Sequence, residues 1–221
     1  MKKILVIAPH PDDESLGCGG ILSKFKNKKI YLTIITKLKP NNKKYSTKLI
    51  NQKEKEVNKV KKKLGIKKLF RLNFEAAKLN KGNLTDLIDN LSIILKKIKP
   101  DTIFAPYLHD AHSDHYFSTY ALNHILKSFR YNFVERCYLY ETLSETNFNF
   151  GKIKKFSPNV YFDISKHINS KLNLIKIYKS EISKHPFPRS LKSVKSLALL
   201  RGSESGFNYA EAFQLILERK K

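Results

Sequence analysis

The sequence predicts an α/β fold of three layers, Rossmann-like, with a mostly parallel sheet carrying helices on both faces. Three observations lead there. Short β-branched runs alternate with amphipathic stretches of helical spacing, breakers fall between them, and clusters of His and acidic residues sit where the first and fourth runs end. An open parallel sheet gathers ligands beyond the carboxyl ends of its strands, so two chain-distant clusters at such ends can converge by topology alone.

Lys3 to Pro9 is an uninterrupted apolar run closed by Pro9 and reads as a fully buried strand. Beyond an acidic turn, Leu16, Ile21, Leu22 and Phe25 recur at helical spacing. Ile30 to Thr36 is a second β-branched run, followed by a polar loop, Lys37 to Ser46, around Pro40-Asn41-Asn42. Leu49 to Leu64 is a charged amphipathic helix closed by Gly65. Lys67 to Asn73 suits a third strand, Leu84 to Ile98 a helix stopped by Pro100, and Thr102 to Pro106 a fourth strand. Val134 to Leu143 and Val160 to Ile164 read as further strands, with Lys166 to Ser183 and Ala210 to Leu217 as later helices. No internal repeat or long linker interrupts the 221 residues, so 1–221 reads as a single domain.

Composition narrows the class. Two cysteines, Cys18 and Cys137, without CxxC spacing, suggest neither a disulfide framework nor a thiolate zinc site, and a cytoplasmic setting is expected. No apolar run has the length of a signal core or a transmembrane span. The formal net charge of +24 invites a nucleic-acid or anionic-membrane partner. The basic residues, however, are mostly Lys scattered through every segment, and no zinc finger, RNP or comparable module accompanies them. A phosphate-bearing substrate or peripheral contact with an anionic membrane fits this charge better. Oligomeric state is not written in the sequence, and assembly stays open.

The chemistry lies in His10-Pro11-Asp12-Asp13-Glu14 and in His112-Ser113-Asp114-His115. His10, Asp13 and His115 offer the N/O ligand set of a catalytic zinc site, which keeps a water whose pKa falls to ~7. Ferrous iron, manganese or cobalt also suits two imidazoles and a carboxylate, so Zn2+ is favoured over Fe2+, Mn2+ or Co2+ without excluding them. Asp12 is the candidate general base, His112 the donor to an oxyanion, and Asp114 a partner that orients an imidazole. Each cluster alone has a plainer reading, a solvated acidic helix start or incidental surface histidines. Their joint occurrence at two strand ends, in a chain with only 7 histidines, favours the metal. His109 and Asp110 read as supporting partners or loop residues, His185 as structural or at the rim, and Cys18 as a small packing residue.

At these residues the chain resembles the PIG-L/LmbE family of zinc-dependent N-deacetylases. Gly17-Cys18-Gly19-Gly20, Asp163-Ile164-Ser165 with Lys171, and Arg201-Gly202 followed by Tyr209-Ala210-Glu211-Ala212-Phe213 extend the likeness along the chain. The resemblance implies a Rossmann-like hydrolase that removes acetyl groups from N-acetylated amino sugars or their nucleotide-, lipid- or glycan-linked conjugates. His10, Asp13 and His115 would hold the metal, Asp12 would be the base, and His112 with Asp114 would stabilise the tetrahedral intermediate.

Where the family usually has Arg-x-x-Glu opening the second helix, this chain has Lys53 three before Glu56, so a forked contact to substrate becomes a point charge. Ser113 stands where proline is common. Lys37, Lys39, Lys43 and Lys44 crowd the loop after the second strand and are read either as receiving an anion on the substrate or as a solvated loop. Arg201, Glu141 and Glu211 are read either as lining or bracing the pocket or as ordinary salt-bridging residues. The substrate-contact candidates are therefore Lys53, Arg201, Lys37 and Lys39. Two other functions stay open: a metal amidase acting on a thiol-sugar conjugate or small acylated amine, and a basic anion- or nucleic-acid-binding protein with a non-catalytic metal site.

Overall fold

The computed structural model describes residues 1–40, 45–150 and 154–220. Its spine is one seven-stranded sheet in the order β3-β2-β1-β4-β5-β7-β6. The strands are β1 (Lys3–Ala8), β2 (Lys29–Lys37), β3 (Lys68–Glu75), β4 (Thr102–Pro106), β5 (Arg136–Tyr140), β6 (Val160–Asp163) and β7 (Ala210–Glu218). β1 to β5 run parallel, and β7 runs antiparallel to both β5 and β6. The helices are α1 (Asp13–Lys24), α2 (Thr47–Leu64), α3 (Leu84–Ile98), α4 (Ser113–Ile125), α5 (Ile168–Ile175) and α6 (Leu191–Ser205).

The continuous apolar run of β1 follows from burial on both faces. Ile4, Val6 and Ala8 pack with Ile21 and Leu22 of α1, Val57 and Val60 of α2, and Leu174 of α5. Leu5 and Ile7 pack on the other side with Leu87 and Leu91 of α3 and Leu122 and Ile125 of α4. The chain leaves β1 for β2 and β3 on one side, then returns to β4 on the other. The carboxyl ends of β1 and β4 thus flank the point where the strand order reverses, and the turns after them face the same crevice.

Local signals account for the ends of α2. The Ser46 hydroxyl accepts from the Leu49 amide at 3.1 Å, and Gly65 closes the helix in the left-handed region at φ 66°. α1 is shaped instead by what packs on it. A Cβ at Gly20 would come within 2.7 Å of the Ile164 side chain, and one at Gly17 would overlap the Tyr140 ring, so the helix lies against both only because these positions lack side chains.

Two expected helices are corrected. Ala210 to Leu217 is not a helix but the central part of β7, wedged between β5 and β6. Its Ala, Glu and Leu content favours a helix weakly, and the hydrogen bonds offered by two flanking strands outweigh that preference. Lys166 to Ser183 is helical only over Ile168–Ile175, after which residues 176–190 turn toward the crevice. Two helices have no clear periodicity in the sequence. α4 buries Asp114, His115, Ser118 and Thr119 beside its apolar residues, which blurs the stripe. α6 buries only Val194, Ala198 and Gly202, while Leu199 and Leu200 are exposed. Among the described residues no helix is long and apolar enough to cross a membrane.

Glu211 of β7 and Lys171 of α5 brace α1 from below. The Glu211 carboxylate accepts from the amides of Gly20 and Ile21 at 2.7 Å each, and Lys171 donates to Glu211 and to the Leu16 carbonyl at 2.6 Å each. Both side chains are buried. Replacing Lys171 by Met would leave the Glu211 charge without its partner. The expected loss is about 3–5 kcal/mol of stability, to be read from denaturant unfolding of the variant and the parent protein.

Candidate metal centre

The turn after β1 delivers His10, Asp12 and Asp13, and the start of α4 delivers His112, Asp114 and His115. The turn is held by Thr36, whose amide and hydroxyl donate to the Pro9 carbonyl at 3.0 and 2.9 Å, and by the Tyr140 hydroxyl, which donates to the Ile7 carbonyl at 2.9 Å. The His10 and His115 ring centroids lie 5.4 Å apart, and those of His10 and His112 lie 4.5 Å apart.

One oxygen serves as the hub. Asp13 Oδ2 lies 3.4 Å from His10 Nδ1 and 3.3 Å from His115 Nε2, and it accepts the His10 amide at 2.8 Å. Donor atoms of His10, Asp13 and His115 all fall within 4.8 Å of one another. The fit to a cation rests on His115 Nε2, a buried nitrogen with no hydrogen-bonding partner. Leaving such an atom bare costs about 1–3 kcal/mol, which a coordinated ion would remove. A second grouping, His10, His112 and Asp114, is a hydrogen-bonded cluster rather than a rival site. Asp114 already accepts from His10 Nε2 at 3.0 Å and from the amides of Ala77 and Leu79 at 2.7 and 3.1 Å.

The far nitrogens of both imidazoles are engaged, which sets the ones facing Asp13. His10 Nε2 is tied to Asp114, and His115 Nδ1 lies 2.8 Å from Asp110 Oδ2. Asp110 is itself anchored by the Thr146 hydroxyl at 2.6 Å. Of the two readings open for Asp110, the structure places it in the supporting role, bonded to a candidate ligand. His112 caps α4: its Nδ1 accepts the Asp114 amide at 3.1 Å, which puts the ring proton on Nε2.

Electrostatics reflects this crowding. Burial opposes a charge on His10, but the bond to Asp114 and the nearness of Asp13 outweigh it and raise its pKa to about 9. His115 is likewise raised, with burial overcome by Asp13 and Asp110. Asp13 is held below the ordinary carboxylate range because the two imidazoles reverse the effect of its burial. Asp12 goes the other way, raised to about 7 by burial and by the neighbouring Asp13 charge, with Arg189 opposing. Burial and the charge of His10 lower His112 to about 4. Burial drives the Cys18 thiol well above its usual range, in keeping with a packing role.

The cleft holds about 330 Å³ and is lined by His10, Asp12, Asp13, His112 and His115, together with Lys37 and Lys53. Lys53 is paired with Glu181. Lys39 is not among the lining residues and pairs with Glu75 at 2.8 Å. Lys43 and Lys44 lie outside the described residues. Arg201 is not brought to the cleft. It forks onto Glu141 at 2.8 and 2.7 Å beside a neighbouring cavity, and Glu211 braces α1. His185 is exposed and outside the cleft. Sequence reading missed Arg189, Glu181, and the Arg71–Glu54 pair at 2.6 Å, all of which line the cleft. Nothing in the local sequence of these residues separates them from ordinary surface charges.

Two outcomes are expected. Asp110→Asn should weaken zinc binding about 10–100-fold in a chelator competition, because His115 loses the acceptor that orients it. Because His10 and His115 are raised, zinc must displace protons from them. Calorimetry in buffers of different ionisation enthalpy should register proton release, and affinity should rise with pH up to the His10 pKa of about 9.

Residues 5–126 match the family model PIG-L, GlcNAc-PI de-N-acetylase. A curated relative, the uncharacterized deacetylase YaiS of Escherichia coli (strain K12), is 34% identical over 119 residues, covering 52% of this chain and 62% of that protein. The chain therefore spans about three-fifths of that relative's length. Among solved structures, the conserved protein TT1542 from Thermus thermophilus is similar at a TM-score of 0.77 and 26% identity, covering 100% of this chain and 97% of that one. The N,N'-diacetylchitobiose deacetylase from Pyrococcus horikoshii has a TM-score of 0.75 at 24% identity, covering 98% of this chain and 84% of that one, and shares the fold. With the family match running over more than half the chain, through both clusters of the candidate centre, this chain belongs to the PIG-L family.

Proposed function

We propose that the chain acts, as one domain, as a metal-dependent hydrolase that removes an acetyl group from an N-acetylated amino sugar or a conjugate of one. The observation that carries this reading is the convergence of His10, Asp13 and His115 around a bare buried nitrogen, with the Asp12 carboxylate in the same cleft. Family membership and the deacetylase names of the E. coli and Pyrococcus proteins support the reaction class. Two imidazoles and a carboxylate favour zinc. Buried free thiols at Cys18 and Cys137 suit a reducing cytoplasm.

A divalent ion held by His10, Asp13 and His115 supplies Lewis acidity, lowering the pKa of water and polarising the acyl oxygen. The side chains perform the rest. Asp12, a buried carboxylate lining the same cleft, takes a proton from the attacking water as the water oxygen bonds to the acetyl carbon. His112, whose Nδ1 accepts the Asp114 amide and whose ring proton is therefore on Nε2, donates from Nε2 to the oxygen that gains charge. When the C–N bond breaks, the amine needs a proton. Because His112 carries none to spare, Asp12 returns the one it took, giving acetate and a free amine.

Asp12→Asn should lower acetate release about 10²–10⁴-fold while bound metal, measured by elemental analysis, stays at the parent level. Full activity in this variant would count against the assignment. A panel of free, nucleotide-linked and lipid-linked N-acetylhexosamines, beside thiol-sugar amides, separates the sugar deacetylase from a related amidase. A binding protein with a non-catalytic metal would release no acetate with or without chelator.

A further inference from the structure

The connection from α5 to α6, residues 176–190, lies beyond the part of the chain that matches the family, yet it supplies one wall of the cleft. It is pinned to the first half of the chain at several points. The Tyr178 hydroxyl donates to Glu14 Oε1 at 2.8 Å, and the Lys179 amide donates to Glu56 at 3.2 Å. At its far end the Ser190 hydroxyl caps α6 through the Ser193 amide at 3.1 Å, which fixes the backbone beside Arg189.

Asp12 is gripped twice by this connection. Its amide donates to Glu14 Oε2 at 3.3 Å, the carboxylate that Tyr178 holds, and its Oδ2 accepts from Arg189 Nη1 at 3.2 Å. The grip matters because Asp12 has φ 114°, a conformation that a residue with a side chain adopts only when its surroundings impose it. Arg189 Nη2 in turn meets Glu181 Oε2 at 3.3 Å, while Glu181 also pairs with Lys53. The Arg189 Nε is buried and has no partner. A guanidinium that leaves one donor bare is oriented by the carboxylates at its other nitrogens, not by its own hydrogen-bonding needs.

We propose that Arg189 is a positioning residue for the general base: it fixes Oδ2 of Asp12 so that Oδ1 faces the cleft, and Glu181 sets the angle of the guanidinium. Oδ1 has no hydrogen-bonding partner among the described residues. A planar fork is required because the two carboxylates must be met at once. Lysine carries its donors on a single nitrogen and does not reproduce the planar spacing by which Nη1 of Arg189 meets Asp12 while Nη2 meets Glu181. This role rests on the reading of Asp12 as base.

The test compares metal-loaded wild type, Arg189→Ala, Arg189→Lys and Asp12→Asn on one N-acetylhexosamine that the wild type cleaves. In Arg189→Ala, kcat should fall about 10²-fold, the usual scale for a misplaced catalytic group, with KM and metal content close to wild type. Millimolar guanidinium should restore part of that loss in Arg189→Ala and nothing in Asp12→Asn. Arg189→Lys, which keeps the charge, should recover only a minor part. Three results would overturn the proposal while leaving the Asp12 reading intact: an unchanged kcat in Arg189→Ala with Asp12→Asn inactive, a rise in KM alone, or lost metal without guanidinium rescue. A metal-loaded wild type that releases no acetate from any N-acetyl sugar would overturn the deacetylase reading and this role with it.

Discussion

The structure turns on an electrostatic constraint: two imidazoles share one carboxylate oxygen of Asp13 at the largely buried floor of the cleft. His115 is fully buried, and Asp13 is nearly so. Charges in such surroundings are tolerable only when each is matched by a partner, since removal from water costs several kcal/mol per ion. Every supporting contact in the neighbourhood answers that requirement. Asp114 meets the outer nitrogen of His10, Asp110 meets that of His115, and Thr146 meets Asp110. Among the imidazole nitrogens of His10 and His115, the unmet one is His115 Nε2, which faces the Asp13 hub.

The scaffold sustains this crowding by keeping the two contributing turns rigid. The turn after β1 is tied to β2 by Thr36 and to β5 by Tyr140, so His10 and Asp13 are referred to strands on both sides of β1. α1 is fixed from below by Glu211 and Lys171, and its glycines let it settle on Tyr140 and Ile164. α4 begins with His112 as its own cap, so one hydrogen bond both starts the helix and sets the tautomer of the ring. Asp114 links this helix start to the loop after β3 through Ala77 and Leu79. Fold and site therefore share bonds.

The cleft wall also shows why charge counted along the chain misleads. The excess of lysine suggests an anion receptor, yet Lys53, Arg71 and Arg189 each face a carboxylate, and Lys39 turns away to Glu75. Lys37 keeps its place at the cleft. Among the described residues, most of the charges around the candidate metal centre are paired with one another.

Some of this is legible in the residues alone. The buried parallel strands show as unbroken apolar runs, and the ends of β1 and β4 are marked by Pro9 and Pro106 with the acid and His clusters just beyond. The candidate ligand set and the candidate base are legible because such residue types are costly to place beside a buried strand without a purpose. α4 and α6 are not, since one buries polar groups and the other exposes leucines, and the period of apolar residues is the signal that reading depends on. β7 reads as a helix in the sequence because local propensity is weak and flanking strands decide. Arg189, Glu181 and the distinct duties of Asp110 and Arg201 belong to tertiary structure alone. The partner of a charge is settled by which surfaces meet in space, and residues 12 and 189 meet although five of the seven strands, β2 to β6, lie between them in the chain.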